Sequence, residues 1–114
     1  ATYAKKILKL EAKIDWSMDA KKINLLIRAF NPYPGAWTNM NQENKFRIKI
    51  FESEVVKNLL GISKDQKTGY CSSSLIVKCG KNFLKILKIQ KEGKKVMTNE
   101  EFINGYKIYD SILD

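Results

Sequence analysis

The side chains that most often carry out catalysis are scarce in this sequence. It contains no histidine, so it cannot form a Ser-His-Asp triad, a Cys-His pair or a histidine-ligated metal site. Cys71 and Cys79 are eight residues apart with no histidine nearby, which predicts two buried reduced thiols rather than a zinc site. Glu52 and Glu54 share one face of a strand-like stretch, and such a pair is typical of solvated surface. We therefore expect no independent catalysis and no bound metal.

Lysine is the side chain that the sequence supplies in excess. Lys and Arg together number 21 against 12 Asp and Glu, which gives a net charge of +9. All of these cations are lysines except Arg28 and Arg47. Lysine attracts phosphate as a point charge but reads base edges poorly, so the composition predicts salt-sensitive binding to an anionic partner such as nucleic acid. A lysine-rich surface that serves only solubility is the alternative.

The length of the chain indicates how many domains are available to position these cations. Its 114 residues predict one small domain with a single core. The sequence has no apolar run long enough to span a membrane, and residues 1–10 lack the apolar stretch of a signal peptide. We therefore expect a cytoplasmic protein with no membrane partner.

Residues 1–16 show neither a clean helical nor a clean strand period, and we interpret them as an extended basic linker. The lysines of this segment are Lys5, Lys6, Lys9 and Lys13. At about 3.3 Å per residue they span on the order of 25 Å, which is enough to follow several phosphates along a nucleic acid. A solvated tether is the alternative. The folded domain is predicted to cover residues 17–114.

Residues 17–30 predict a helix with one apolar stripe and one basic face. Ser17 is a candidate N-cap, and Asp19 lies where the helix dipole favours an anion. The helix must end before Pro32, because the residue preceding a proline is disfavoured in the helical region. Arg28 falls in the last turn, where either the helix dipole or an RNA phosphate accounts for a cation. The predicted stripe comprises Ile23, Leu26, Ile27 and Phe30.

From residue 36 to residue 91 the pattern becomes that of β-strands. A short strand is predicted at 36–38, and a second at 45–51, which continues through 52–56 past a bulge. In the second strand the apolar and basic residues alternate, so Lys45, Arg47 and Lys49 are predicted to face outward. A further short strand is predicted at 70–73. A hairpin then joins 75–79 to 83–90 through a turn at 80–82.

The end of the chain predicts a second helix. Thr98 and Glu101 form a capping-box pattern at its start. Residues 93–95, which include Lys94 and Lys95, predict either a basic hairpin tip or a plain solvated turn. The predicted helix carries Phe102, Tyr106, Tyr109 and Leu113 on one side, with Gly105 as a break.

The predicted fold is therefore mainly β with flanking helices, arranged as an OB-like small β-barrel. Barrels of this kind often bind oligonucleotides across one face with cations and aromatic rings. The aromatic residues near predicted turns are either such stacking platforms or part of the core. They are Tyr33, Trp37, Tyr70 and Phe83.

Four stretches, taken in order, resemble the C-terminal domain of the methionyl-tRNA formyltransferases. They are ATYAKKILKLEAKIDW at 1–16, overlapped by IDWS at 14–17; RAFNPYPGAWTN at 28–39; LKIQKEGKKVM at 87–97; and EEFINGY at 100–106. The resemblance implies an OB-like barrel that is appended to a Rossmann-type catalytic domain lying outside this chain. That domain would use 10-formyltetrahydrofolate to formylate the methionine of initiator tRNA during translation initiation. No cofactor is expected in the barrel domain itself.

The resemblance also implies which residues face the tRNA. Lys6 and Lys9 match linker lysines of the family, Lys13 stands where arginine is common, and Lys5 departs from the pattern. The expected partners are the phosphate backbone of initiator Met-tRNA and the N-terminal catalytic domain of the same polypeptide. Together with the residue patterns, the candidate nucleic-acid-binding residues are Lys5, Lys6, Lys9, Lys13, Arg28, Lys45, Lys49, Lys94 and Lys95.

Two other functions remain open from the sequence. One is a scaffold domain of a related formyltransferase that acts on folate or a sugar nucleotide, in which the barrel has no role toward RNA. The other is a free-standing, non-specific nucleic-acid binder.

Overall fold

Strands dominate the computed structural model, which describes residues 12–31, 35–42, 44–57, 67–106 and 111–114. The strands are β1 (Ala36–Asn41), β2 (Lys45–Val56), β3 (Tyr70–Cys71), β4 (Ile76–Lys78), β5 (Phe83–Lys91), β6 (Val96–Thr98) and β7 (Ser111–Leu113). The helices are α1 (Ala20–Ala29) and α2 (Asn99–Gly105). The sheet order is β2-β1-β7-β3-β4-β5-β6, and an additional pairing of β2 with β5 closes a ring of six strands. The predicted small β-barrel with flanking helices is confirmed.

The long strand β2 follows the predicted alternation and forms two seams of the barrel. Ile48 and Ile50 are fully buried, whereas Lys45 and Arg47 are exposed. Its first half pairs with β1, and most of its length pairs with β5. The register with β5 shifts on both sides of Glu52, which confirms the predicted bulge. A bulge increases local twist and bends the strand, as closure of so small a barrel requires.

The predicted hairpin is also present, and its second strand contributes buried side chains to the core. β4 pairs with the start of β5 in antiparallel register, and the turn between them holds Asn82 at φ 64°. Leu84, Ile86 and Ile89 of β5 are fully buried. Alternate residues of β5 therefore face the same core as Ile48 and Ile50.

Helix α1 begins two residues later than the Ser17 cap predicts. Asp19 is the N-cap, and its side chain accepts a hydrogen bond from the Lys21 backbone N–H. Ser17 instead donates its hydroxyl to the Asp15 carboxylate at 2.6 Å, and this bond lowers the pKa of Asp15. Aspartate and serine are about equally good N-caps. Because the Ser17 hydroxyl is bonded to Asp15, Asp19 caps the helix instead.

The apolar stripe of α1 covers the barrel largely as predicted. Ile23, Ile27 and Phe30 are buried, and Leu26 is partly buried against the core. The helix ends at Ala29 with Phe30 as its C-cap, and the Phe30 carbonyl accepts a hydrogen bond from the Gly35 N–H at 2.9 Å. Gly35 has φ +86°, a conformation that glycine adopts without strain.

The second helix is shorter than the sequence predicts. Its capping box is confirmed, because Thr98 and Glu101 each bond the backbone N–H of the other, and the bond from the Thr98 backbone lowers the pKa of Glu101. The helix ends at Gly105, however, and Leu113 lies in β7, where it is buried. The predicted extension to Leu113 is therefore wrong, because residues 111–113 fill the gap in the sheet between β1 and β3. Tyr109 lies outside the described residues.

Residues 12–16, which we interpreted as part of a linker, pack into the domain. Ala12, Ile14 and Trp16 are at most 4% exposed. The backbone of 12–14 exchanges two hydrogen bonds of 2.8 Å with Trp37 of β1, and the Trp16 indole N–H donates to the Thr38 hydroxyl at 2.9 Å. Apolar alternation over three residues was too short a signal to reveal a strand-like addition to the sheet. Residues 1–11 lie outside the described residues.

The two cysteines are buried and unpaired, as predicted. Burial raises the pKa of Cys71 to about 12, and burial together with the nearby Asp19 charge raises the pKa of Cys79 to about 12. Groups of three or more potential metal ligands are absent from the part of the chain that the structure describes. The same part contains no helix that is both long and apolar enough to cross a membrane.

Because the native state holds the Cys71 proton more tightly than the unfolded chain, we expect this thiol to make stability fall at high pH. Its contribution is fully present below the ordinary cysteine pKa near 9 and is lost as the pH rises toward 12. Between about pH 9 and 11 the free energy of unfolding should drop by about 1–2 kcal/mol more in the wild type than in Cys71→Ala. Denaturant unfolding at several pH values measures this difference. Parallel pH profiles would contradict the prediction.

Candidate nucleic-acid interface

Four side chains line up across the outer face of the barrel, on neighbouring segments of the sheet. Lys13 bridges to Trp37 of β1, Trp37 is opposite Lys49 of β2, and Lys49 is opposite Gln90 of β5. Directly opposed residues project from the same face of a sheet. With strands about 4.8 Å apart, the row is about 14 Å wide. We call Lys13, Trp37, Lys49 and Gln90 the outer row.

Arg47 joins the outer row by stacking on its aromatic member. The guanidinium carbon of Arg47 lies 4.0 Å from the centroid of the Trp37 ring, and the Lys13 ammonium lies 5.5 Å from it. Such cation–π contacts stabilise and orient the guanidinium while leaving its N–H groups accessible. Arg47 forms no ion pair within the described ranges. The stack therefore presents a pre-oriented, exposed fork of donors, which suits a phosphate group.

A shallow cleft opens beside Arg47, between β2 and the turn that follows β5. Its volume is about 260 Å³, and its lining residues are Arg47, Lys49, Gln90, Glu92 and Gly93. The Glu92 N–H donates to the Arg47 carbonyl at 3.0 Å, and the Gln90 side-chain N–H donates to the Lys94 carbonyl at 2.8 Å. The first bond ties the turn to β2, and the second ties Gln90 to the hairpin tip. Lys94 and Lys95 are exposed and directly follow the lining residue Gly93 in the chain.

The structure brings some of the predicted site residues together and leaves others apart. Lys13 and Lys49 belong to the outer row, and Lys94 and Lys95 directly follow the cleft-lining Gly93 in the chain. Lys45 is exposed on the same face of β2, two residues from Arg47. Residues 93–95 form the tip of the β5–β6 hairpin, with Gly93 at φ +79°. Lys5, Lys6 and Lys9 lie outside the described residues.

Arg28 stands on a different element from the outer row. It is exposed in the last turn of α1. That helix is tied to β2 beyond the bulge, where the Ser53 hydroxyl donates to the Asn24 side chain at 2.6 Å. Its position at the end of a helix dipole gives it a structural role that needs no nucleic acid.

Two lysines of β5 contact other side chains of the protein. The Lys88 ammonium forms an ion pair with the Glu52 carboxylate at 2.7 Å. Both side chains are about half exposed, so the ion pair adds little to the stability of the fold. The Lys91 ammonium lies 4.6 Å from the Phe46 ring and 4.9 Å from the Tyr106 ring. Lys88 is therefore paired with a carboxylate and Lys91 is half-buried, whereas Arg47 is exposed.

Sequence reasoning placed Arg47 on the outward face of its strand but did not select it as a site residue, and it missed Gln90 and Glu92 altogether. The stack of Arg47 on Trp37 depends on the β1–β2 register, which follows from the whole fold rather than from local pattern. Of the other aromatic candidates, Tyr70 and Phe83 are half-buried in strands. Tyr33 lies outside the described residues.

Comparison with known proteins places this geometry in a family context. Residues 6–107 match the family described as "Formyl transferase, C-terminal domain". Among similar proteins, the methionyl-tRNA formyltransferase of Pseudoalteromonas translucida (strain TAC 125) is 42% identical over 109 residues, covering 92% of this chain and 32% of that protein. The methionyl-tRNA formyltransferase of Bartonella quintana (strain Toulouse) is 37% identical, covering 94% of this chain and 34% of that protein.

The chain spans about a third of the length of the curated relatives it matches. The family match covers most of the chain, including both helices and the first six strands. The chain therefore belongs to the formyl transferase C-terminal domain family.

Proposed function

We propose that this chain is the tRNA-binding C-terminal domain of a cytoplasmic methionyl-tRNA formyltransferase. In this proposal it holds initiator Met-tRNA by the phosphate backbone during translation initiation. An N-terminal catalytic domain of the same polypeptide then transfers the formyl group from 10-formyltetrahydrofolate, and the domain described here carries no cofactor. The observation that carries the proposal is the stack of Arg47 on Trp37 within a row that also contains Lys13 and Lys49.

The chemistry of the outer row suits a positioning role. A tRNA is far larger than the amino acid that is modified, so contacts to remote phosphates can be used to orient the aminoacyl end at a distant reaction centre. Point charges and one arginine fork attract phosphates of any sequence. Initiator identity would accordingly be read outside this domain, because base readout needs several directed hydrogen-bond pairs.

Salt dependence gives the proposal a quantitative form. If Lys13, Arg47, Lys49 and Lys94 each neutralise one phosphate, the logarithm of the binding constant should fall with the logarithm of salt concentration with a slope of about −3 to −4. Because these cations come from three separate segments, of which β2 supplies Arg47 and Lys49, the slope reports the assembled surface rather than a single loop.

Removing two central cations should weaken tRNA binding strongly. We expect Arg47→Ala combined with Lys49→Ala to lower the affinity of the 114-residue chain for tRNA by about tenfold or more at low salt. The slope of the salt dependence should become shallower by about 2, one for each lost phosphate contact. Equilibrium titration with tRNA between about 50 and 200 mM salt measures both quantities.

The matched control is Lys21→Ala combined with Lys22→Ala, which removes the same charge from exposed positions on α1. It should change affinity much less than the Arg47 and Lys49 pair. Equal losses from the two double variants would mean diffuse attraction to the net charge and would refute a localised site. If the wild-type chain failed to bind tRNA even at low salt, the scaffold function would replace the proposed one.

A further inference from the structure

The cleft beside Arg47 contains a carboxylate, which a surface built only for phosphate would exclude. Glu92 is exposed, lines the cleft and is pinned there by its backbone bond to Arg47. Among the residues that the structure describes, it forms no ion pair with the surrounding lysines. A carboxylate repels phosphate but accepts hydrogen bonds from hydroxyl groups. A carboxylate beside the Arg47 guanidinium suits a ligand that carries both a phosphate group and a hydroxyl group.

Gln90 adds a second, fixed polar group to the same cleft. Its side-chain amide donates one N–H to the Lys94 carbonyl at 2.8 Å, which orients the amide and leaves its carbonyl oxygen as an acceptor. Gly93 forms the remaining wall, and nothing lies within 4 Å of where its Cβ would be. The cleft therefore has hydrogen-bond acceptors on the side of β5 and its following turn, and cations on the side of β2.

We propose that this cleft recognises the ribose of an RNA backbone. Arg47 and Lys49 bind the phosphate, and the 2′-hydroxyl of the adjoining ribose donates to the Glu92 carboxylate. The inference rests on the proposed function and names the class of nucleic acid that the surface prefers, because the 2′-hydroxyl is the group that distinguishes RNA from DNA. The volume of about 260 Å³ lies below the roughly 300–1,000 Å³ of sites for drug-sized ligands, which suits one sugar unit.

The test compares a short RNA hairpin with the same hairpin methylated at every 2′-oxygen. Methylation keeps the phosphate charge and the bases but removes the hydroxyl hydrogen. The wild-type chain should bind the unmodified hairpin about tenfold more tightly, as expected for one hydrogen bond to a charged acceptor. In Glu92→Ala this preference should fall toward one, while affinity for the methylated hairpin stays the same or rises because a negative charge has been removed.

Glu54→Ala is the matched control, because it removes the same charge from an exposed position seven residues along β2 from Arg47. It should retain the tenfold preference, and thermal melting checks that both variants are folded. Equal wild-type affinity for the two hairpins, with the expected salt slope, would overturn the ribose inference and leave phosphate binding intact. A preference that survives in Glu92→Ala would also overturn it. Failure to bind either hairpin would refute the proposed function itself.

Discussion

Replacing Trp16 with alanine should lower the free energy of unfolding by about 3–5 kcal/mol, the range for deleting a large buried aromatic side chain. The Trp16 side chain is 4% exposed and belongs to the main core. Its indole N–H also donates to the Thr38 hydroxyl, which is itself fully buried. The substitution thus leaves both a cavity and a buried hydroxyl without its donor. Urea denaturation of the wild type and the variant measures the loss.

Two further variants separate the contributions of Trp16. Trp16→Phe keeps most of the apolar volume but removes the hydrogen bond to Thr38, and it should cost about 1–3 kcal/mol. Leu25→Ala alters a side chain that is 63% exposed and should change stability by less than about 0.5 kcal/mol. If Trp16→Ala were as mild as Leu25→Ala, residues 12–16 would be an appendage rather than part of the core.

The second large effect is expected at Gly80, where there is no space for a side chain. A Cβ at this position would lie 1.8 Å from the Ser17 carbonyl oxygen, so the backbone must move. The Gly80 N–H also donates to the Trp16 and Met18 carbonyls at 2.9 and 3.0 Å. Gly80→Ala should therefore destabilise the domain by about 3 kcal/mol, the upper end of ordinary overpacking. Denaturant unfolding again provides the measurement.

Gly105→Ala is the matched control for that substitution. Gly105 closes α2, and nothing lies within 4 Å of its added Cβ. Alanine should leave stability unchanged or raise it by about 0.5–1 kcal/mol, because it restricts the unfolded chain and favours helix. Similar losses at Gly80 and Gly105 would contradict the close approach of Gly80 to the Ser17 backbone.

Local patterns predicted the parts of the fold that local forces determine. The alternation around Ile48 and Ile50, the turn before β5 and the capping box at Thr98 all depend on residues a few positions apart. The position of Leu113 was predicted wrongly, because its apolar spacing fits a helix as well as a strand. Only the vacancy between β1 and β3 selects the strand, and that vacancy is a property of the assembled sheet.

The candidate site was predictable in composition but not in geometry. An excess of lysine and the outward face of β2 indicated where cations such as Lys49 would lie. The contact between Arg47 and Trp37 requires the β1–β2 register, and the cleft at Glu92 requires the β5–β6 turn to fold back onto β2. Both contacts join residues that are far apart in the sequence, so a local sequence pattern does not predict them.

The place of β7 in the sheet has a consequence for how the protein is made. β7 lies between β1 and β3, and the Leu113 and Asp114 N–H groups donate to the carbonyls of Gly69 and Asn39. The other six strands that the structure describes precede β7 in the chain and leave the ribosome before it. The sheet stays open between β1 and β3 until residues 111–113 emerge, so the facing edges of these two strands remain unpaired until then. Closure of the barrel therefore waits for β7, and a nascent chain that still lacks β7 exposes strand edges that favour aggregation.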